Sequence, residues 1–329
     1  MSTTIAATAA LAVALLAAPA AAQTIDQLRD AVRDAVASTR ITLFLATLHD
    51  LAVDGEVAAG HLKVDGENGG PGLGITSLSV PWRKDLFTDE PDGLGGLHVE
   101  ATVGYADARL DLDDLWSGQL PGLETRVITE YEAIGVDLGA GPNVDLGGGY
   151  TVQPLAHLAL SYVDNDATYI GPGAGVTQAI TSGILFDWDG IYGAYGMSVA
   201  MRRAPLRLGD IEVRPLLRYD LRHIVDLDVD DRALEADDTT NWITLRADLE
   251  GPIGGDPDAR LRWLADVGYR RWFAGAADTL GFDDFVEFGA GIAWRAADAL
   301  PLLSDLRLGG AVQVGDDVLG WSFGLSASF

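Results

Sequence analysis

The chain is 329 residues long, with 49 acidic against 22 basic side chains, a net charge of −27 and no cysteine. That balance argues against nucleic acid as a partner, because phosphate binding needs a basic surface. The missing thiols exclude cysteine nucleophiles and cysteine metal sites. No apolar run after the N-terminus approaches the roughly 18 residues of a membrane-spanning helix, and the 40 glycines among 329 residues exceed the usual ~7% share, as turns and a crowded interior would require.

Residues 1–22 carry no charge, residues 11–18 form a short apolar core, and Ala20, Ala21 and Ala22 precede Gln23. This is the pattern of a secretory signal peptide cut after Ala22, although the n-region lacks Lys and Arg. Thr24-Ile25-Asp26-Gln27 then has the form of a capping box. Ile25, Leu28, Val32, Ala35 and Val36 recur at helical spacing, with Asp26, Arg29, Asp30, Arg33 and Asp34 opposite them, so a helix of about 14 residues is expected to open the mature chain. Residues 41–48 fit helix or strand. Residues 23–50 are therefore read as a helical segment, with a place inside a pore where its charged face meets lumen charges, and 51–329 as the domain that encloses it.

Period-2 segments of about ten residues follow, the signature of a transmembrane β-barrel. Leu97, Val99, Ala101, Val103 and Tyr105 alternate with His98, Glu100, Thr102 and Gly104, and Ile243, Leu245, Ala247 and Leu249 oppose Trp242, Thr244, Arg246, Asp248 and Glu250. The expected strands are 56–64, 73–80, 96–107, 124–137, 149–162, 190–202, 210–223, 240–250, 260–272, 284–294, 305–314 and 320–329. They make an all-β, closed antiparallel barrel of twelve strands, the even number a bacterial barrel should have. A hairpin turn at 65–71 joins the first two. Pro215 falls inside a strand and is expected at a bulge, since it has no ladder donor. A soluble β-sandwich is the alternative, but it would have to hide every one-sided apolar face. Counting back from a last strand that ends in the periplasm, the turns at 203–209, 251–259 and 295–304 fall on that side. The longer, acid-rich connections 108–123, 163–189, 224–239 and 273–283 fall outside.

In the last strand Trp321, Phe323, Leu325, Ala327 and Phe329 share one parity, while Ser322, Gly324, Ser326 and Ser328 share the other. This resembles the terminal strand of bacterial outer-membrane barrels, whose closing Phe belongs to the signal read by the barrel-assembly machinery. Trp321, Phe323, Leu325 and Phe329 would carry that signal. The whole layout resembles an autotransporter translocator domain, and the small group of solitary outer-membrane autotransporter-like barrels in having no long passenger segment. The resemblance implies the outer membrane of a Gram-negative cell as location, membrane lipid as surroundings, and the barrel-assembly machinery and periplasmic chaperones as partners during biogenesis. It implies no cofactor. Three roles follow in descending order: a structural or interaction protein of the envelope, a small diffusion pore, and, distantly, a surface hydrolase on a barrel scaffold.

Charge on the inward parity suggests a salt-bridge network that stiffens the wall and tunes permeation. Its members are Arg126, Glu130 and Glu132 on one strand; Glu212, Arg214, Arg218, Asp220 and Arg222 on another; then Arg246, Asp248 and Glu250, and Arg260, Arg262, Asp266 and Arg270. No catalytic motif is present, and no catalytic residue is assigned. Of the five histidines, 49, 61, 98, 157 and 223, His157 shares a strand face with Ser161, but about 13 Å of strand rise separates them. His223 with Asp220 or Asp226 near a rim is the better hydrolase candidate. Asp226, Asp228, Asp230 and Asp231 form a weak Ca²⁺ candidate, since hard cations take carboxylate oxygens, yet the run lacks the glycine and closing glutamate of an EF-hand loop.

Overall fold

A computed structural model describes residues 24–38, 59–64, 73–87, 94–113, 124–254, 259–273, 282–295, 305–316 and 318–328. The signal-peptide reading, the 41–48 segment, the 65–71 turn, His49 and Phe329 lie outside these residues. The strands are β1 (Ala59–Val64), β2 (Leu73–Leu86), β3 (Leu94–Leu112), β4 (Arg126–Gly147), β5 (Tyr150–Ile170), β6 (Trp188–Arg203), β7 (Leu206–Leu208), β8 (Ile211–Val229), β9 (Asp237–Pro252), β10 (Leu261–Phe273), β11 (Asp284–Arg295), β12 (Asp305–Val314) and β13 (Val318–Ser328).

Each wall strand pairs antiparallel with its neighbours, β1 pairs with β13 from Ala59↔Phe323 to Val64↔Val318, and β6 pairs with β8. β7 is a three-residue stub on β8. The other twelve strands close into a ring that matches the twelve expected segments. Closure leaves no unpaired edge facing lipid, the condition for crossing a bilayer with strands. Among the described residues no helix is long and apolar enough to cross a membrane.

Parity in the wall follows the hydrophobic pattern. Trp321, Phe323 and Leu325 point outward and are exposed, whereas Gly320 and Ser322 point inward and are buried. Val103, Leu138, Leu158, Met197, Leu245 and Phe288 continue the outer apolar belt around the ring.

The strands differ in height. β12 and β13 have 10 and 11 residues, close to the ~9–11 that a tilted strand needs to span a bilayer. β3, β4 and β5 have 19, 22 and 21, so they rise well past it at the end carrying the long connections. Tyr105, Ile134, Tyr162 and Ile191 lie in one row across four strands, and the next row up is Asp107, Glu132, Asp164 and Asp189. Above that boundary the faces exchange polarity. Charges point outward, while Ala108, Val127, Tyr131, Ala133 and Val163 are buried inside. This corrects the expected placement of Arg126, Glu130 and Glu132. All three are exposed on the outer face of β4, where Arg126 pairs with Asp111 and Glu130 with Arg109 at 2.9 Å. In the membrane the water side of a strand is the lumen, but beyond it the water side is outside, and the charges follow the water.

Pro215 is also corrected. It sits in unbroken register opposite Ala247. On its other side the β6 pairing ends at Arg202↔Leu216 and the β7 pairing begins at Leu206↔Val213. Proline thus occupies the gap in the ladder where no donor is needed. At the opposite edge of the wall from the mouth, Gly147, Gly148 and Gly149 hold φ of 78°, 63° and 81°. Successive left-handed residues of this kind favour glycine and turn β4 directly into β5.

Helix α1 (Ile25–Ser38) has the 14 residues expected of it. Thr24 N donates to Gln27 Oε1 at 2.9 Å and Gln27 N donates to Thr24 Oγ1 at 3.3 Å, the reciprocal bonds of a capping box. Val32 and Val36 are 1% and 0% exposed, in one core with Ile180, Phe186, Trp188, Tyr192 and Leu234. α1 lies against helix α2 (Ala174–Thr181) and the 3₁₀ turn Arg232–Leu234, both in connections at the tall end. The apolar stripe, rather than the charged face, is what enters the barrel mouth. Arg29 donates to the carbonyls of Ala179 and Ser182 at 3.0 Å each, and Arg33 Nε donates to Asp231 at 2.8 Å. That bond raises the Arg33 guanidinium further above its usual range.

Unheated protein refolded in detergent is expected to migrate faster on a gel than boiled protein, because the closed ladder resists the detergent. Identical mobility would contradict the closed ring.

Candidate functional site

Below the apolar mouth the lumen is filled by charge, held in two clusters on opposite arcs of the wall. The first spans β3 to β8. Arg218 donates to both oxygens of Glu100, at 3.2 and 2.8 Å, and to Asp220 at 2.9 Å. Arg222 lies 3.5 Å from Asp137 and 3.9 Å from Asp220. Between them His157 Nδ1 is 2.8 Å from Asp137 and its Nε2 is 3.0 Å from Ser198 Oγ. Gly139 makes room for this layer. A Cβ there would stand 2.6 Å from His157 Cε1 and 2.8 Å from Glu100 Cγ, closer than carbon atoms pack.

The second cluster is centred on Glu250 of β9. Its Oε1 meets Arg262 at 2.6 Å and Arg295 at 2.8 Å, and its Oε2 meets Arg214 at 2.9 Å and Arg307 at 3.3 Å. Glu212 shares Arg214 at 2.7 Å. Nearby, Arg246 reaches Asp248 at 2.7 Å, Asp266 at 3.6 Å and Glu287 at 3.9 Å. Arg270 lies over the rings of Trp272 and Phe285, at 5.6 and 5.9 Å, a cation–π arrangement.

The structure therefore brings Glu212, Arg214, Arg218, Asp220, Arg222, Arg246, Asp248, Arg262, Asp266 and Arg270 to the inner side of the wall, and sets Arg126, Glu130 and Glu132 apart. Sequence reasoning placed Glu250 in the network but missed the hub of the first cluster. Glu100 stands on the polar parity of its strand and was readable there. Asp137, His157 and Ser198 come from three neighbouring strands and meet only through pairing register, which the sequence does not display.

Aspartate, histidine and serine in that order have the connectivity of a nucleophilic relay. Here Ser198 and His157 are 1% and 2% exposed, with no space for an acyl group, and the backbone N–H groups beside them belong to the ladder. His157 does not bond Ser161. His223 points to the other face from Asp220; its ring lies 5.0 Å from that of Tyr195 in a tilted contact and pairs with Asp237 at 3.1 Å.

Among the described residues Glu100, Asp137 and His157 are the only group spaced to hold a metal ion, within 4.8 Å of one another. Arg218 and Arg222 already provide the positive charge that an ion would bring. The expected Ca²⁺ aspartates do not converge. Asp226 accepts from Ala236 N, Asp230 accepts from Asp189 N, and Asp231 accepts from Ala233 N and binds Arg33. The four are spread along a strand and a turn, and Asp226, Asp230 and Asp231 are committed to the backbone of the mouth.

A closed antiparallel ring of twelve strands, apolar outside at membrane height and charged within, is the architecture of an outer-membrane β-barrel. No family model matches the chain, and no curated protein matches it. Among solved structures it is similar to the beta domain of the Bordetella autotransporter BrkA, at 16% identity over 82% of this chain and 96% of that one, with a TM-score of 0.49. It is similar to the translocator domain of autotransporter NalP from Neisseria meningitidis, at 12% identity, 82% and 86% coverage and a TM-score of 0.45. The KdgM porin is similar at 10% identity, 82% and 97% coverage and a TM-score of 0.33. These likenesses are of fold.

Replacing Glu100 with Ala is expected to destabilise the refolded barrel by about 3 kcal/mol, the cost of taking from the buried Arg218 guanidinium one of its two carboxylate partners. Glu100→Gln should cost less, because it keeps a hydrogen-bonding oxygen. Urea midpoints of the two variants, read by tryptophan fluorescence, check the order.

Proposed function

We propose that this chain is exported by its N-terminal signal peptide and inserted as an autotransporter-like outer-membrane barrel, with a structural or interaction role in the envelope rather than that of an open diffusion pore. The barrel-assembly machinery and periplasmic chaperones serve its biogenesis, and the tall end with α1 faces outward. The observation that carries this reading is the burial of Val32 and Val36 of α1 in the same core as the mouth residues Trp188, Tyr192 and Leu234. An apolar core at the mouth opposes the passage of ions. The short-turn end, with the tight turn at Gly147–Gly149, is the one that faces the periplasm, in keeping with the loop asymmetry of such barrels.

Planar bilayer recording tests the reading. The full-length mature chain is expected to be silent, and a variant lacking residues 23–50, or carrying V32D with V36D, to conduct in discrete steps. Steady conduction by the full-length chain would favour the diffusion-pore reading. Silence in both would move the seal from α1 to the charged layer beneath it.

A further inference from the structure

Near the short-turn end the outer wall is hollowed by a groove of about 490 Å³, within the size range of small-molecule sites. Its lining comes mostly from the outward parity. Met201, Leu217, Leu245 and Tyr269 lie in one row across four strands, and Met201 and Leu245 are exposed. The row beneath them is Pro215, Ala247 and Val267, of smaller side chains. Beside Pro215 the ladder is interrupted, since β6 pairing stops at Arg202↔Leu216 and β7 pairing starts at Leu206↔Val213. Small side chains beside a break in the ladder are what leave the surface hollow.

A cation stands at the lower end of this groove. Arg203 follows Met201 on the outward parity of β6, opposite Tyr150, and both Arg203 and Tyr150 line the groove. The guanidinium carbon lies 5.0 Å from the centre of the Tyr150 ring, a cation–π contact that offsets part of the charge and supplies no oxygen acceptor. Among the described residues no carboxylate pairs with Arg203. Its depth is that of a bilayer surface. Ile191, in the upper boundary row, and Met201 belong to the same strand. At ~3.4 Å of rise per residue and ~40° of tilt, about 25 Å of membrane thickness separates them, which is the height of the apolar band of such barrels. Arg203 and Tyr150 therefore stand at the level of lipid phosphates, and the hollow above them lies among acyl chains.

We propose that this groove is a binding site for one glycerophospholipid of the bilayer, with its phosphate on Arg203 and an acyl chain laid across Met201, Pro215, Leu245 and Ala247. A guanidinium fork matches phosphate oxygens bidentately, and the hollow is continuous with the outer apolar belt. A free anion would leave the hollow unused. With the tall end outward, as proposed above, the lipid comes from the inner leaflet; only that choice of leaflet rests on the proposed orientation.

Native mass spectrometry of the refolded full-length barrel in detergent tests the site, with phosphatidylglycerol, diacylglycerol of the same chains and inorganic phosphate as probes. One phosphatidylglycerol per chain is expected to survive removal of the detergent. Diacylglycerol, which lacks the phosphate, should bind about tenfold more weakly, and inorganic phosphate should not displace the lipid. Arg203→Ala should weaken retention by about tenfold, Arg203→Lys should weaken it less, and Ala247→Phe, which fills the hollow, should abolish it. The heat-modifiable gel shift verifies that each variant is folded, and no step depends on conductance. No discrete one-to-one adduct, diacylglycerol held as tightly as phosphatidylglycerol, displacement by inorganic phosphate, or retention unchanged in Arg203→Ala and Ala247→Phe would overturn the proposal. A lipid-free pair of chains that Ala247→Phe separates would also overturn it, giving the groove to a second copy.

Discussion

A strand in lipid has no water to satisfy a stray backbone N–H or C=O, so the pairings that close the ring, β1 on β13 and β6 on β8, are what everything else in this molecule depends on. Closure fixes the register of twelve strands at once, and register fixes which parity meets lipid. Several prolines lie inside the wall strands, Pro81, Pro142, Pro154 and Pro215 among them, and Pro215 shows how one is accommodated. Pro215 lies where β6 has stopped pairing and β7 has not begun, and its missing donor is not needed there.

With parity fixed, the charge distribution follows from where water lies. At membrane height the lumen is the wet side, and it holds Glu100, Asp137, Arg218, Arg222 and the Glu250 cluster in mutual contact. Above the membrane the outside is wet, and the row Asp107, Glu132, Asp164 and Asp189 faces it. The large negative net charge therefore belongs to the outer rim and the connections, while the lumen is nearly balanced by its own arginines. A single strand such as β4 carries both regimes, changing over between Glu132 and Ile134.

That change explains what was legible in the sequence. Twelve alternating segments, the outward parity of Trp321, Phe323 and Leu325, and the capping box at Thr24 could all be read, because each is a local pattern with one physical cause. Arg126, Glu130 and Glu132 were misplaced because the rule that polar means lumen holds only at membrane height. The sequence does not state where a strand leaves the bilayer. It does contain the clue: Val127, Thr129, Tyr131 and Ala133 occupy the other parity, too apolar a set for the wet face of a palisade. The contacts of His157 with Ser198 and Asp137, and of Glu250 with four arginines, were out of reach. They arise between strands, from register and barrel curvature, and leave no spacing in the chain.

The mouth and the mid-lumen close the bore by opposite means, and the difference sets how firmly each holds. The charged layer is built from groups on the wall itself, and opening it would separate pairs such as Glu100 and Arg218, each left without its partner. The mouth is closed in part by a 14-residue helix, a length marginally helical on its own in water. Its two fully buried valines contribute about 1.5–3 kcal/mol apiece at most. Arg29 and Arg33 add polar anchors to α2 and to the 3₁₀ turn, at positions part-exposed to solvent where such bonds are worth less. Folding and docking of α1 are thus one coupled step of modest free energy. The elements it docks on lie in the tall-end connections, so anything that grips those connections acts directly on the seal, while the wall beneath stays fixed by its ladder.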